Sequence, residues 1–212
     1  YLPAGTYSID LSLSSNPLGC SSKVAQVIQQ EVHHISRYPD PHHRELRCIV
    51  AQPEGIPEEM IIFGAGADGV IENIIRSFLN PGDQMIIPEV SFLDAAFVAQ
   101  IVGAKPVYSP MTKELGIDFD DIKERLNPSV KAIFLCNPNN PTGQLASKDK
   151  ILDLVASTEA LVIIDEANIE FAGDSLIRNV KEFDNLIVIR TFSKAYGLAG
   201  MRIGYCVAQA DL

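Results

Sequence analysis

The segment TFSKAYGLAGMRIGY, residues 191–205, places one lysine among groups that can bind an anion. Lys194 follows an apolar run, with hydroxyls at Thr191 and Ser193 and a guanidinium at Arg202. A lysine at the end of a strand loses hydration, which makes its amine a better nucleophile, and arginine offers a rigid fork to an oxyanion. A solvated surface lysine is the simpler interpretation, but it leaves the close grouping of these residues unexplained.

A carboxylate stands in a comparable place in the segment LVIIDEANIEF. Asp165 follows four apolar residues, so it ends a strand that we expect to be central in a sheet. A carboxylate in that position is poorly solvated and needs a cationic or N–H partner. Two interpretations stay open: an acid that holds a protonated ring nitrogen, or a carboxylate that caps the next turn.

Two further turns follow apolar runs. Gly64 and Gly66 come just before a helix that begins near Asp68, and N–H groups at a helix start can bind an anion. Packing of a tight turn would require the same glycines. The segment CNPNNPTGQ presents the amide of Asn140 beyond a strand, where open parallel sheets bind ligands. An ordinary loop with Asx turns is the alternative.

These turns must be positioned by the elements around them. Seven apolar runs without polar alternation predict strands covered on both faces: Met60–Gly64, Gln84–Pro88, Ala104–Tyr108, Lys131–Cys136, Ala160–Asp165, Asn185–Arg190 and Ile203–Ala208. Amphipathic segments predict helices at about residues 21–36 and at Asp68–Leu79, Ser91–Gly103, Asp118–Leu126 and Ser147–Thr158. The alternation predicts a three-layer α/β/α domain with a mostly parallel sheet. We expect an N-terminal arm and helix over residues 1–40 and a large domain over residues 41–212.

The amino-acid composition argues against several classes of binding partner and site. The net charge is −10, with 27 acidic and 17 basic residues, which argues against nucleic-acid and membrane-surface partners. The four cysteines are far apart, which predicts buried free thiols in a cytoplasmic protein. The histidine pairs at 33–34 and 42–43 lack further ligands at metal-binding spacing, so no metal site is expected. We also expect no membrane span and no signal peptide.

The segments GAGAD, NPNNPTG, DEANIEF and TFSKAYGLAGMRIGY, in this order, resemble the pyridoxal-phosphate-dependent aminotransferases of fold type I, class I/II. The similarity is greatest to the histidinol-phosphate aminotransferase-like subgroup, because LSSNPLGCS and RYPDPHHRELR also match it, and it covers about residues 14–205. The resemblance implies the fold type I large domain and pyridoxal 5'-phosphate as cofactor. It also implies a homodimer that moves an amino group between an amino acid or phosphorylated amino alcohol and a 2-oxo acid.

The resemblance also assigns roles to single residues. Lys194 would carry the cofactor covalently and then act as general acid and base, while Asp165 would pair with the pyridine nitrogen. Asn140 would bond the phenolic oxygen and Phe92 would stack on the ring. Tyr38 would reach the phosphate in the partner subunit's site. The phosphate itself would be bound by residues from two turns: Gly66, Ala67, Asp68, Thr191, Ser193 and Arg202.

The sequence departs from the family in two respects. Asn168 stands where the family has a tyrosine that bonds the phenolic oxygen, so the linkage between Lys194 and the cofactor should stay protonated to higher pH. No residue of this chain matches the C-terminal small domain, which holds the arginine for the substrate carboxylate. We therefore expect a piece of a longer protein or a truncated relative. In either case these residues alone could bind the cofactor, but we do not expect efficient transamination from them.

Alternatives to a transferase also stay open. A lyase of the same subgroup, similar to threonine-phosphate decarboxylase, would use the same lysine and aspartate. A non-catalytic, aminotransferase-like sensor domain is a third possibility. The amino donor and its pathway do not follow from the sequence.

Overall fold

The computed structural model describes residues 13–212, and seven of its strands form one sheet. The strands are β1 (Ile61–Ala65), β2 (Gln84–Pro88), β3 (Lys105–Ser109), β4 (Val130–Cys136), β5 (Leu161–Asp165), β6 (Leu186–Thr191) and β7 (Ile203–Val207). Their spatial order is β1-β7-β6-β5-β4-β2-β3. Only β7 runs against its neighbours, β1 and β6, so the other six strands share one direction and end at one edge.

In the described part of the chain, six α-helices accompany the sheet: α1 (Ser22–Glu31), α2 (Arg44–Glu54), α3 (Gly66–Phe78), α4 (Asp94–Ile101), α5 (Phe119–Glu124) and α6 (Lys148–Ala156). Local hydrogen bonds explain several of their ends. Asp118 caps α5 by accepting from the N–H of Asp121 at 3.0 Å. Gly55 ends α2 in the left-handed conformation, with φ of 62°.

Two apolar cores lie on opposite faces of the sheet. Alternate residues of each central strand point to opposite faces, so both faces are apolar. One core contains buried residues of α2, α5 and α6, and the other contains buried residues of α3 and α4. Helix α1 is different because none of its residues is buried. The predicted three-layer α/β/α architecture with a mostly parallel sheet is therefore confirmed.

The seven predicted strands are all present, each within one residue of its expected ends. The helices start and stop within three residues of expectation, except that α1 stops at Glu31 and continues as a short 3-10 turn, Val32–His34. Helix α2 was not predicted. Its signal was local: Asp40 accepts from the N–H groups of His42 and Arg44, where the helix begins.

The cysteine prediction is half wrong. Cys136 and Cys206 are buried free thiols, as expected, but Cys20 and Cys48 are exposed. Cys20 precedes a helix without a buried face, and Cys48 lies on the outer side of α2, so neither position requires an apolar environment. Within residues 13–212, no helix combines the length and hydropathy that a bilayer crossing requires.

Candidate functional site

A cleft of about 630 Å³ opens at the edge where the parallel strands end. Ten of the residues predicted for a site line it: Ala67, Asp68, Phe92, Asn140, Asp165, Asn168, Thr191, Ser193, Lys194 and Arg202. They come from turns that follow β1, β2, β4, β5 and β6 and from the turn that precedes β7. The topology thus gathers residues that are more than 130 positions apart, such as Asp68 and Arg202, which are separated by 134.

Asp165 forms the floor of the cleft, and its side chain is buried. Oδ1 accepts from the N–H of Ala167 at 3.0 Å, and the thiol of Cys136 lies 3.8 Å from Oδ2. Within residues 13–212, no lysine, arginine or histidine lies within ion-pair distance of this carboxylate. Burial therefore raises the pKa of Asp165 to about 6. The carboxylate does cap the next turn, and it also faces the cleft without a cation.

Lys194 follows β6 and is half-buried at the wall of the same cleft. Its ammonium forms no hydrogen bond or ion pair with any residue in the range 13–212. A lysine that lines a concave site and has no partner among these residues is available to an incoming group. The structure thus brings an unengaged amine and an uncompensated carboxylate into one cavity.

The hydroxyls before Lys194 form a small network at the end of β6. The hydroxyl of Thr191 donates to Oγ of Ser193 at 3.0 Å and accepts from the N–H of Ser193 at 3.2 Å. Both side chains are buried. Short polar groups that bond mainly to one another keep hydrogen-bonding capacity for a ligand anion.

Arg202 lines the same cleft and contacts the start of α3. Its guanidinium contacts Asp68 at 2.8 Å and the carbonyl of Ala65 at 3.4 Å. It covers Gly66, where a Cβ would collide with the guanidinium. The N-terminus of this 13-residue helix and the adjacent arginine, which is paired with Asp68, offer N–H groups and a guanidinium to an anion such as phosphate. Gly66 belongs to this turn but does not line the cleft itself.

Strand β7 also lies close against this turn before α3. A Cβ on Gly204 would lie 2.5 Å from the carbonyl carbon of Gly66 and 2.7 Å from the nitrogen of Ala67. Gly66 has φ of +75°, which a side chain rarely adopts. The glycines therefore allow β7 and the start of α3 to touch through their backbones.

Hydrogen bonds of neighbouring asparagines hold the loop after β4 in the conformation that places Asn140 at the cleft. Asn139 is buried, donates to the carbonyl of Val90 at 2.8 Å and accepts from Ser91 at 2.8 Å. Asn137 accepts from the N–H of Ala146 at 2.8 Å. Asn140 is left half-buried against the cleft. Sequence reasoning missed these supporting residues, because three asparagines within four positions do not reveal which one faces the ligand side.

Sequence reasoning also missed the N-terminal wall of the cleft. Leu13, Ser14 and Ser15 line the cavity, and the amide of Asn16 donates to the carbonyl of Ala195 at 3.1 Å. The segment SNPLG carried this signal as part of the family resemblance, but its contact with the lysine loop could not be read from spacing. Ala199 and Gly200 complete the wall from the other side, and Cys136 and Asp94 were also not predicted.

Tyr38 and the histidine pairs lie outside the cleft. Tyr38 is fully exposed and does not line it, so its assignment to a partner subunit's site stays a prediction. The four histidines are exposed, and residues 13–212 contain no cluster of three metal-ligating side chains.

The sheet and the lysine, aspartate and anion-binding turns at its edge define the large domain of the fold type I class. The family model described as aminotransferase class I and II matches residues 7–212, and the chain belongs to that family. The resemblance inferred from the four motifs is therefore confirmed.

Similar proteins refine this placement. Histidinol-phosphate aminotransferase of Methanococcus maripaludis strain C5 is 41% identical over 96% of this chain and 56% of its own length. Histidinol-phosphate aminotransferase of Sinorhizobium meliloti, solved in complex with pyridoxal-5'-phosphate, is 25% identical with a TM-score of 0.88, covering 93% of this chain and 55% of that one. The Clostridium acetobutylicum enzyme is 29% identical, with a TM-score of 0.84 and coverage of 93% and 59%. The chain thus spans between half and two thirds of the length of these relatives.

Proposed function

We propose that this chain forms the cofactor-binding part of a pyridoxal-phosphate-dependent aminotransferase that takes a histidinol-phosphate-like amino donor and a 2-oxo acid. One observation carries the proposal: a single cleft joins an anion-binding turn with a lysine and a buried carboxylate that have no ion-pair partner within residues 13–212. Relatives about 40% identical are named histidinol-phosphate aminotransferases, which favours this function over the decarboxylase and sensor alternatives.

The residues of the cleft fit this cofactor group by group. The buried Asp165 matches a protonated pyridine nitrogen, because a cation there would compensate its desolvation. The N-terminus of α3 with Thr191, Ser193 and Arg202 matches the phosphate. Lys194 matches the aldehyde, and Asn140 can donate its amide to the phenolic oxygen. Phe92 is half-buried at the wall and offers an apolar ring face.

The bound cofactor would supply an electron sink for a carbanion at the substrate Cα. The residues of the cleft would supply the groups around the cofactor. Asp165, whose carboxylate is oriented by the N–H of Ala167, would keep a proton on the ring nitrogen through its negative charge. Lys194 would take the proton from the substrate Cα at Nζ and return it as general acid. The turns that bind the phosphate would hold the cofactor at one end, so that its ring keeps one orientation toward Lys194.

A homodimer and a cytoplasmic location belong to the same proposal. Helix α1 has no buried residue, and exposed apolar side chains surround it, among them Val27, Ile35 and Tyr38. A second copy of the chain would cover this face, and it could receive Tyr38 in its own site. The four cysteines are free thiols, which supports a reducing compartment.

Borohydride reduction tests the proposal directly. Purified protein incubated with pyridoxal phosphate and then reduced should carry one pyridoxyl group on Lys194, located by peptide mass mapping. Lys194→Ala should lose both the label and the cofactor's visible absorbance, whereas Lys148→Ala, which removes a lysine paired with Asp174, should keep both. Amino transfer from histidinol phosphate to 2-oxoglutarate is then measured. Labelling that persists in Lys194→Ala would reject the proposal.

Asn168 offers a further test at the same cavity. It is half-buried and lines the cleft, but its amide lacks the acidic hydroxyl of a tyrosine. We expect Asn168→Tyr to move the pH-dependent change of the cofactor's absorbance to lower pH, because the added hydroxyl stabilises the ionised phenolic oxygen. Asn168→Ala should leave the transition near that of the unchanged protein. An identical titration for the tyrosine variant would contradict the assigned role.

A further inference from the structure

The buried thiol of Cys136 has no part in the mechanism above, although it adjoins the floor of the cleft. Cys136 ends β4 and pairs in register with Asp165, which ends β5. Its Sγ lies 3.8 Å from Oδ2 of Asp165 and 3.3 Å from the carbonyl oxygen of Pro138. The residue is 1% exposed and lines the cleft.

The protonation of this thiol decides what it can do. Burial raises the pKa of Cys136 far above its usual range, and the neighbouring Asp165 charge raises it further. The sulfur therefore keeps its proton and acts as a donor, not as a nucleophile or metal ligand. Both acceptors in reach are oxygens, and one of them belongs to the carboxylate that the proposed function requires.

We propose that Cys136 is a positioning residue for Asp165: its thiol proton, shared between Pro138 O and Asp165 Oδ2, holds the carboxylate in the orientation that faces the cleft. The N–H of Ala167 holds the other oxygen, Oδ1, at 3.0 Å. The two contacts restrain the carboxylate from both sides, so it meets a ring nitrogen without reorganising. This inference rests on the proposed function, because it concerns the group that Asp165 would hold.

The charged groups that face Asp165 act differently from the thiol. Lys194, after β6, favours the charged carboxylate, and Asp68, at the start of α3, opposes it. Neither contacts Asp165 directly. Removal of the thiol leaves these two charges in place and takes away a donor that the carboxylate shares with the carbonyl of Pro138. Among the charged groups of the cleft, the predicted effect is therefore confined to Asp165.

The chain contains a matched control in Cys206. This second buried thiol lies on β7 in the same apolar core, is 4% exposed, and does not line the cleft. Cys136→Ala and Cys206→Ala remove the same atoms from similar surroundings. Because a hydrogen bond to a charged group is lost only in the first, we expect its dissociation constant for pyridoxal phosphate at pH 8 to rise about fivefold relative to Cys206→Ala. Cys136→Ser, which retains a donor, should restore most of the affinity.

The pH profile separates positioning from a packing defect. Loss of a donor makes Asp165 easier to protonate, so in Cys136→Ala the fall of cofactor affinity on acidification should begin at higher pH than in the unchanged protein. Cys206→Ala should follow the unchanged protein. If the two alanine variants bind equally well and share one profile, the inference is overturned.

A measurement on the thiol itself covers an alanine variant that fails to fold. The S–H infrared band of Cys136, assigned by subtraction of the Cys136→Ser spectrum, should move to higher frequency in Asp165→Asn, because a carboxylate is the stronger acceptor. An unchanged band overturns the inference. Failure of the unchanged protein to bind the cofactor would instead overturn the proposed function, and the infrared result would still report the contact.

Discussion

The buried carboxylate of Asp165 lowers the stability of the cofactor-free protein at neutral pH, although the proposed function requires it. Its folded-state pKa of about 6 lies above the ordinary value of 3.8, so the charged form is disfavoured by burial. Stability from this group is complete below pH 4 and is lost as pH rises to about 6. At neutral pH the cofactor-free protein therefore keeps an unfavourable charge, which a bound cation would relieve.

Asp165→Asn should stabilise the cofactor-free protein at pH 8 while weakening cofactor binding. One unit on the pKa scale is worth about 1.4 kcal/mol, so the gain in unfolding free energy is on the order of 2–3 kcal/mol. At pH 5 the difference should shrink, because the native aspartate is then largely protonated. Urea unfolding of both proteins at the two pH values measures this. Equal stabilisation at pH 5 and pH 8 would contradict the argument.

Single residues were predictable from sequence where chemistry marked them. Lys194, Asp165 and Arg202 stand out because a charged group directly beside an apolar run needs a reason. Cys136 and Asn139 gave no such signal, because a thiol and one amide among three have several ordinary roles. The contact of Cys136 with Asp165 depends on the register between β4 and β5, and those of Asn139 depend on the segment after β2, neither of which the sequence states.

At the scale of elements, the contact between β7 and the start of α3 is the tightest constraint on the anion-binding turn. Gly204→Ala places a methyl group against the backbone of Gly66 and Ala67, which cannot move without shifting the helix start. We expect a loss of about 3 kcal/mol in unfolding free energy and weaker binding of pyridoxal phosphate. Equilibrium denaturation and absorbance titration measure both effects.

Gly200→Ala is the control for this substitution. A Cβ at Gly200 has no atom within 4 Å, so its effect on stability should stay within about 0.5 kcal/mol. If the two variants are equally stable, the close approach of β7 to α3 is not a real constraint.

A buried ion pair joins the ends of β5 and β6 behind the cleft. Glu166 is fully buried, accepts from the N–H of Leu176 at 2.7 Å and from Ser175 at 2.6 Å, and faces Arg190 at 3.5 Å. Arg190 also contacts Glu170 at 2.7 Å. Because Glu166 follows Asp165 and Arg190 precedes Thr191, the pair holds the two strand ends that carry the site in register.

Arg190→Met should destabilise the protein by about 3 kcal/mol at pH 8, because it leaves a buried carboxylate without its cation. Burial already raises the pKa of Glu166 to about 7, so the loss should be smaller at pH 6. The double variant Glu166→Gln, Arg190→Met should lose less than the sum of the single variants. Denaturant unfolding in a double-mutant cycle tests this coupling. Additive losses would contradict it.

Of the three scales, the helices and strands were the most predictable from the sequence. Continuous apolar runs identified every strand because both faces of the sheet are covered. The antiparallel placement of β7 between β1 and β6 did not follow, because an apolar run carries no direction. Helix α2 was not predicted, because Pro53 lies inside it and its apolar face is short.

At the scale of the whole molecule, the exposed region around α1 is the surface on which the proposed homodimer can be tested. Ile35 is 82% exposed, so Ile35→Asp should leave the monomer fold intact and lower dimer affinity at least ~10-fold by burying a charge in the interface. Leu115→Asp, at an exposed apolar residue between β3 and α5, should leave the dimer unchanged. Sedimentation velocity over a concentration series measures both. The division of the chain at residue 40 stays a prediction.

The pairing of β1 with β7 has a consequence for synthesis of the chain. The ribosome completes β1 long before β7, so the early strand leaves the exit tunnel with its hydrogen-bonding edge open. The amide of Asn16 likewise cannot donate to the carbonyl of Ala195 until that residue, 179 positions later, has been synthesised. The nascent chain cannot complete the anion-binding turn at Gly66 until Arg202 and Gly204 have emerged, so we expect cofactor capture to follow the synthesis of β7.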